Sequence, residues 1–224
     1  MRISHFRHAD NGCRPAHKEK RREKMALRIV SLTASEIEGV LPELAKLRVG
    51  VFQDWPYLYQ GSLDYEKDYL ARYARSRGAV VVAAFAGTDL VGAATGQPLA
   101  GEVDDFCAPF AEAGLDPADY FYLAESVLEP AYRGQGVGHA FFDQREAHAR
   151  RLGFDRAAFC AVIRDDADPR KPVDYRPLDP FWQKRGYRPV PGLTVGFDWP
   201  DLGETQMSRK RLQVWARDGL GTGK

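Results

Sequence analysis

Residues 132–138, "YRGQGVG", set glycines at 134, 136 and 138 behind Arg133, after an apolar run and before a helix-like one. Glycine is costly inside regular structure, so three at alternate positions mark backbone that must stay bare. A strand that passes through such a turn into a helix leaves unpaired N–H groups at the helix N-terminus. Those donors, with the helix dipole, attract phosphate, and Arg133 adds a cation beside them. The expected cradle is Gly134, Gln135, Gly136, Val137 and Gly138; the plainer reading is a tight turn whose glycines only permit close packing. A second candidate lies just upstream. Strand alternation over 119–128 puts Phe121, Leu123, Glu125 and Val127 on one face, which makes Glu125 a lone carboxylate among apolar neighbours. Desolvation there favours proton uptake, as a general base near neutral pH requires. The competing reading is a core glutamate satisfied by an arginine or by backbone N–H groups.

Two nucleotide readings of the turn fail. A P-loop needs Lys and then Ser or Thr after the last glycine, whereas Gly138 is followed by "HAFF". The dinucleotide fingerprint G-x-G-x-x-G meets His139 in one register and Phe141 in the other where its third glycine belongs. Its ribose-binding acid should also follow the next strand, and Asp155 precedes it.

The elements that must position these residues follow from hydrophobic period. "LRIVSL" (27–32) is a strand, and Ser35 with Glu38 offers a capping box. Leu41, Leu44, Leu47 and Val51 then recur at helical spacing, with Pro42 restarting the helix near its beginning. "FQDWPYLYQGS" (52–62) is a loop, and the helix after it carries Tyr65, Tyr69 and Tyr73 on one stripe. Residues 79–86 and 90–97 form a hairpin, and "FCAPFAEAG" a short helix ending at Gly114. Strands at 119–128 and 156–164 flank a helix at about 138–152, capped by Gly153. A short helix near 180–185 ends at Gly186 and precedes strands at about 187–198 and 211–217. The order predicts an α/β protein, a mixed sheet flanked by helices, with a strand–helix–strand unit centred on the glycine turn.

Composition narrows the class. The chain of 224 residues is 44% hydrophobic and 12% aromatic, as expected of a sizeable core, with 32 basic against 31 acidic residues. Residues 1–24 carry eight Lys or Arg and three acids, a net of +5, which leaves the remainder at −4. The tail reads as disordered, or as a product of start-site choice, since Met25 directly precedes the first strand; residues 25–224 read as one domain. A basic arm on phosphates is the functional alternative for the tail, but the acidic body argues against nucleic acid. Cys13, Cys107 and Cys160 suit neither a disulfide framework nor a zinc site, which points to a reducing, cytoplasmic setting. Cys160, inside a strand, reads as a small buried hydrophobe. His139 and His148 lack metal-ligand companions and read as structural, so no metal is expected. No apolar run is long enough to cross a membrane.

"VLEPAYRGQGVGHAFF" (127–142) resembles the acyl-CoA-binding segment of the GNAT superfamily of N-acetyltransferases, whose signature Arg133, Gly136 and Gly138 fill. Val127, Pro130 and Tyr132 also sit where that family usually has them, and "FWQKRGYRPV" (181–190) is similar to its later helix–strand segment. The resemblance spans about residues 26–217; together "VFQDWPYLYQG" and "PLDPFWQKRGY" resemble one bacterial subgroup whose acceptors are mostly unassigned. It implies acetyl-CoA or another acyl-CoA as co-substrate and an amine as acceptor. It also implies a diphosphate on the amides of Gln135 to Gly138, and a pantetheine paired with backbone near Ser126, Val127 and Leu128, where two strands splay. The N–H of Val127 or Leu128 would meet the charge on the thioester oxygen, with Glu125 as base, directly or through a water. The family's usual acid, a tyrosine on the late helix, is replaced by Trp182, which is no useful acid and reads as a pantetheine contact or as core. Tyr175 is a spare candidate.

The resemblance further places the acceptor wall on the first helices and their loop. Aromatic faces beside carboxylates suit a primary ammonium, and Asp54, Tyr57 and Tyr59 are the acceptor-binding expectations. Tyr65, Tyr69 and Tyr73 are assigned to packing. The polar stretch 164–179 reads as a lid. The expected protein is a monomer or homodimer that acetylates a small molecule or an exposed protein amine. The alternative is an acyl-CoA-binding sensor without turnover.

Overall fold

Val80, Val81, Val82, Ala83 and Ala84 have no exposed surface. A run of β-branched and small residues suits a strand covered on both faces. It forms most of β2 (Val80–Ala86) in the computed structural model, which describes residues 26–102 and 104–222. The expectation for residues 1–24 lies outside the described residues. β1 (Leu27–Leu32) and β3 (Asp89–Pro98) flank β2. Between β1 and β2 run α1 (Ser35–Glu38), α2 (Leu41–Val51) and α3 (Leu63–Arg75). After β3 come α4 (Asp104–Glu112), β4 (Tyr120–Tyr122), β5 (Ser126–Leu128), α5 (Val137–Arg151) and β6 (Arg156–Val162). α6 (Asp179–Lys184), β7 (Arg188–Trp199) and β8 (Ser208–Arg217) complete the fold.

The strands form one eight-stranded mixed sheet in the order β1-β2-β3-β4-β6-β8-β7, with β5 also paired to β3. Among the described residues only β4 and β6 run parallel, and α5 is the crossover that a parallel pair needs. Period two along β2 sends Val81 to one face and Val80 and Val82 to the other. Val81 joins Leu44, Leu70, Tyr73 and Phe110 from α2, α3 and α4. Val80 and Val82 join Phe141 and Phe142 from α5. Helices thus cover both faces, and the α/β expectation holds.

Local chemistry sets the helix ends. Pro42 stands in the first turn of α2, and the Ser62 side chain accepts a hydrogen bond from the Tyr65 N–H to cap α3. The expected Ser35–Glu38 capping box is absent. Glu36 instead reaches back to the Thr33 N–H at 3.1 Å, two residues earlier, because the chain turns at Ala34, where φ is 48°.

The run 119–128 is not one regular strand. Gln97 pairs with Tyr122, whereas Ala94 pairs with Ser126, so one extra residue enters between them. Both Ala124 and Glu125 oppose Thr95: the Ala124 N–H donates to the Thr95 carbonyl, and the Thr95 N–H donates to the Glu125 carbonyl. This β-bulge resets the alternation. Phe121 and Leu123 face α5, while Val127 joins the core under α2 and α3, and Glu125 turns to that same side. The expected single face for Phe121, Leu123, Glu125 and Val127 is therefore corrected. The last contact toward β6 is the Leu123 N–H to the Ala158 carbonyl at 2.8 Å; beyond it β5 stays with β3, and the sheet opens between β5 and β6.

Candidate active site

The glycine turn leads into α5. Gly134 and Gly136 have φ of 74° and 83°, a left-handed backbone that side chains disfavour, and Gly136 caps α5 with no side chain over its first N–H groups. Gly138 needs another reason. It lies inside the helix, and a Cβ there would meet nothing nearer than a Phe181 ring carbon at 3.8 Å. Its bareness leaves open space beside bare amides, which fits an anion seated on the turn. Arg133 is exposed, donates to the Leu128 carbonyl at 3.2 Å, and pairs with Asp54 at 3.4 Å.

The bulge is fastened from behind by Arg145 of α5, which is 1% exposed. Its Nη1 donates to the carbonyls of Thr95 and Glu125 at 3.0 and 3.2 Å, and its Nη2 to Ser126 Oγ at 2.9 Å. Burial lowers its pKa to about 10, which leaves it charged at neutral pH. The Glu125 carbonyl and the Glu129 N–H both bond to β3, so strand alternation points Val127 toward β3 as well. Ser126 and Leu128 then present their N–H groups to the open edge facing β6. Of the two expected amide donors, Leu128 faces the gap and Val127 does not.

On the opposite side of the bulge lies a cavity of about 270 Å³. Ala124 and Glu125 of the bulge and Cys160 of β6 form one wall, so the cavity reaches both sides of the strand opening. Phe52, Tyr57 and Tyr59 come from the loop after α2, Tyr65 and Tyr69 from α3, and Phe197 and Trp199 from β7. The loop is held shape-fast. Arg164 donates to the carbonyls of Pro56 and Tyr57 at 2.7 and 2.6 Å and forms a two-pronged pair with Asp201. The Tyr59 N–H donates to the Phe52 carbonyl at 2.8 Å. Arg170 also reaches Asp201 at 3.0 Å, so Arg164 and Arg170 of the stretch expected as a lid both meet the aspartate that bridges to Tyr59 of this loop.

Charge in the cavity is concentrated in three side chains. Glu66 has no exposed surface, Glu125 is 6% exposed, and Arg48 lies between them. Arg48 Nε donates to Glu66, and its Nη1 stands 2.6 Å from Glu125 Oε1. Burial opposes a charged Arg48, yet Glu125, Tyr69 and Glu66 together hold its pKa well above the usual value. The Tyr73 hydroxyl donates to Glu125 Oε2 at 3.5 Å. Neither Glu66 Oε1 nor Glu125 Oε1 receives a well-directed hydrogen bond; burial, the Glu66 charge and a hydrogen bond to Glu66 push the Tyr59 phenol up. Burial also pushes the Cys160 thiol up to about 12, as suits the inert buried residue expected.

Of the acceptor expectations, Tyr57 and Tyr59 line the cavity, whereas Asp54 is exposed, points to Arg133 and does not. Tyr65 and Tyr69 are walls rather than packing alone, while Tyr73 is fully buried. Trp182 stands away from the cavity, with its ring centroid 4.9 Å from Phe159 and 5.2 Å from Trp215 on the α5 face. Tyr175 leans edge-on against Trp55. Sequence reasoning missed Arg48 as a site residue. The signal was there: Arg48 follows Leu41 by seven and Leu44 by four, on the apolar stripe of its helix.

The sequence profile of the acetyltransferase (GNAT) family matches residues 46–170, more than half of the chain. The chain belongs to the GNAT family. This GNAT chain has the fold of several solved structures at low identity. A GCN5-related N-acetyltransferase from Kribbella flavida is 18% identical, with a TM-score of 0.52 over 86% of this chain and 98% of its own. An aminoglycoside 6'-N-acetyltransferase complexed with coenzyme A is 16% identical, with a TM-score of 0.52 over 84% of this chain and 96% of its own. The PaiA N-acetyltransferase from Thermoplasma acidophilum, in complex with coenzyme A, is 14% identical, with a TM-score of 0.50 over 87% and 99%. No curated protein matches the chain. The matched segment contains Arg48, Glu66, the bulge and the glycine turn of this GNAT member; Trp182 lies beyond it. Among the described residues no group of three or more His, Cys, Asp or Glu side chains is placed to hold a metal, and no helix is long and apolar enough to cross a membrane.

Proposed function

We propose that this protein transfers an acetyl group from acetyl-CoA to the nitrogen of a primary amine by direct attack, with Glu125 as general base. The observation that carries the reading is the place of Glu125: a buried carboxylate on the wall of an aromatic cavity, at the bulge where the sheet opens. The amides of Gly134, Gln135, Gly136, Val137 and Gly138, with Arg133, would hold the diphosphate, and Ser126 to Leu128 the pantetheine. Trp182 would flank that arm. Acetyl-CoA supplies an activated acetyl thioester when bound.

The residues of the chain supply the rest. Glu125 takes one proton from the incoming ammonium, which frees the nitrogen lone pair. The Ser126 and Leu128 amides meet negative charge developing on the carbonyl oxygen. The nitrogen–carbon bond forms, the carbon–sulfur bond breaks, and the second nitrogen proton ends on the sulfur. Tyr57, whose phenol burial pushes up to about 12, stays protonated beside this chemistry. A cytoplasmic location belongs to the same proposal, since Cys107 and Cys160 remain thiols.

A thiol-release assay with acetyl-CoA and a panel of amines tests the reading. Acetyl-CoA-dependent release with at least one amine is expected. Measurable acetyl-CoA binding with no release from any amine would assign the protein as a non-catalytic sensor instead.

A further inference from the structure

The cavity beside Glu125 carries a charge imbalance that its own residues do not resolve. Two buried carboxylates, Glu66 and Glu125, share one guanidinium, that of Arg48. The cluster therefore holds one uncompensated negative charge away from water, which is costly unless a cation joins it. The unfilled valence lies on both carboxylates: Glu66 Oε1 and Glu125 Oε1 each lack a directed donor, Glu66 is fully buried, and its other neighbour, the Tyr59 phenol, brings no charge. One guanidinium bridges both carboxylates, so a single small ammonium can lie within reach of each.

The walls decide what the ammonium is attached to. Phe52, Tyr65, Tyr69, Phe197 and Trp199 present rings to the cavity. Arg48 already lies over two rings, 4.9 Å from the centroid of Phe52 and 4.5 Å from that of Tyr69, so the cavity is one in which cations meet π faces. A volume of about 270 Å³ lies at the small end of ligand pockets. A cavity this small, walled mostly by rings, leaves little room for an aminoglycoside or for the length of a polyamine. We infer that the acceptor is a compact primary amine on an aromatic or otherwise apolar body, and that Glu66 is the residue that selects its ammonium group. The inference rests on the N-acetyltransferase reading for its context, and it adds substrate class and a specificity-determining residue.

Calorimetric binding to the whole chain, without acetyl-CoA, tests it. The probes are phenethylamine, its alcohol counterpart 2-phenylethanol, spermidine, and a lysine-containing peptide. Phenethylamine should bind about ten- to a hundredfold more tightly than 2-phenylethanol, the span of a charge-assisted hydrogen bond. It should also outbind spermidine and the peptide. Glu66→Gln should erase the preference for amine over alcohol while acetyl-CoA binding stays unchanged. Equal binding of amine and alcohol, tighter binding of spermidine or the peptide, or a preference that survives Glu66→Gln would overturn the inference. The amine–alcohol comparison uses the unaltered protein, so a poorly folding variant leaves it decisive. Because no turnover is read, amine binding without acetyl-CoA binding would reject the transferase reading and leave the site standing.

Discussion

Two buried arginine–glutamate clusters lie on opposite faces of the same sheet, and they differ in balance. On the α5 face, Glu146 is surrounded: Tyr187 and Arg185 donate to its Oε1 at 3.0 and 3.2 Å, and Arg217 to its Oε2 at 3.0 Å. Arg185 also pairs with Asp143 at 2.6 Å, so two cations meet two carboxylates here, and both oxygens of Glu146 have partners. Under α2 and α3 one cation serves two carboxylates, and one oxygen of each, Oε1 of Glu66 and of Glu125, lacks a directed donor. The first cluster fills core, packed among Phe142 and Tyr187, while the second borders a cavity. Buried glutamates are thus separated by their unmet valence rather than by their burial. The satisfied one holds helix to sheet, and the under-satisfied one is where the proposed amine would sit.

Conservative substitution should split the pair most widely. Glu125→Gln removes a proton acceptor at nearly constant shape, and kcat should fall about 10²- to 10⁴-fold with acetyl-CoA affinity unchanged. Glu146→Gln should leave kcat within about twofold and cost about 1–3 kcal/mol in urea unfolding, the price of a disrupted buried network. Similar kcat losses in both variants would erase the functional distinction between the clusters. A pH-independent kcat in the Glu125 variant, matched by the parent, would remove Glu125 from the mechanism.

The sign of the cavity cluster can be probed by stability alone. Arg48→Met leaves Glu66 and Glu125 facing each other without a counter-ion and should cost about 3–5 kcal/mol. Adding Glu66→Gln should recover part of that loss, because one of the two stranded charges is gone. Strictly additive losses in urea titrations would show that no surplus negative charge is present.

The same contrast explains what could be read from the chain. The glycine turn and the order of strands and helices were legible because each depends on local spacing, whereas Glu125 stood out through an alternation that the strand does not keep. The bulge at Ala124–Glu125 was not, since one additional residue in a strand has no local signature; it reverses the face on which Glu125 lies. The cavity was half legible. Tyr57 and Tyr59 stood out as aromatics in a loop, but Arg48 and Glu66 declare their role only once α2 packs on α3. Both occupy apolar stripes, Arg48 with Leu44 and Glu66 with Tyr69 and Tyr73. A charge on such a stripe was the available sign. Asp54 misled because proximity in sequence to aromatics does not fix direction, and its carboxylate reaches Arg133 instead.

The support beneath the acceptor loop gives a smaller, pH-dependent effect. Burial alone would raise the Asp201 carboxyl, but Arg164, Lys210 and Arg170 overrule it and hold it below its ordinary 3.8. A carboxyl with a depressed pKa in the folded state contributes stability that is complete above about pH 4 and is lost as pH falls below it. Asp201→Asn should therefore lower Tm at pH 7, and the gap from the parent should narrow in acid, below pH 4. A gap of constant size across that range would show that the loop is held by packing rather than by this ion cluster.

The smallest expected effect has opposite signs in two measurements, which makes it informative. Gly138 lies in the first turn of α5 with no protein atom close to where a Cβ would go. Alanine is the better helix former by about 0.8–1 kcal/mol, so Gly138→Ala should leave the fold intact or raise Tm slightly. If bare amides at this turn seat a diphosphate, the added methyl stands in the approach path, and the KM for acetyl-CoA should rise several-fold in the same variant. A rise in Tm with unchanged KM would mean that this glycine serves neither packing nor ligand. The turn would then bind through Gly134 and Gly136 alone, whose left-handed backbone the sequence has to supply in any case.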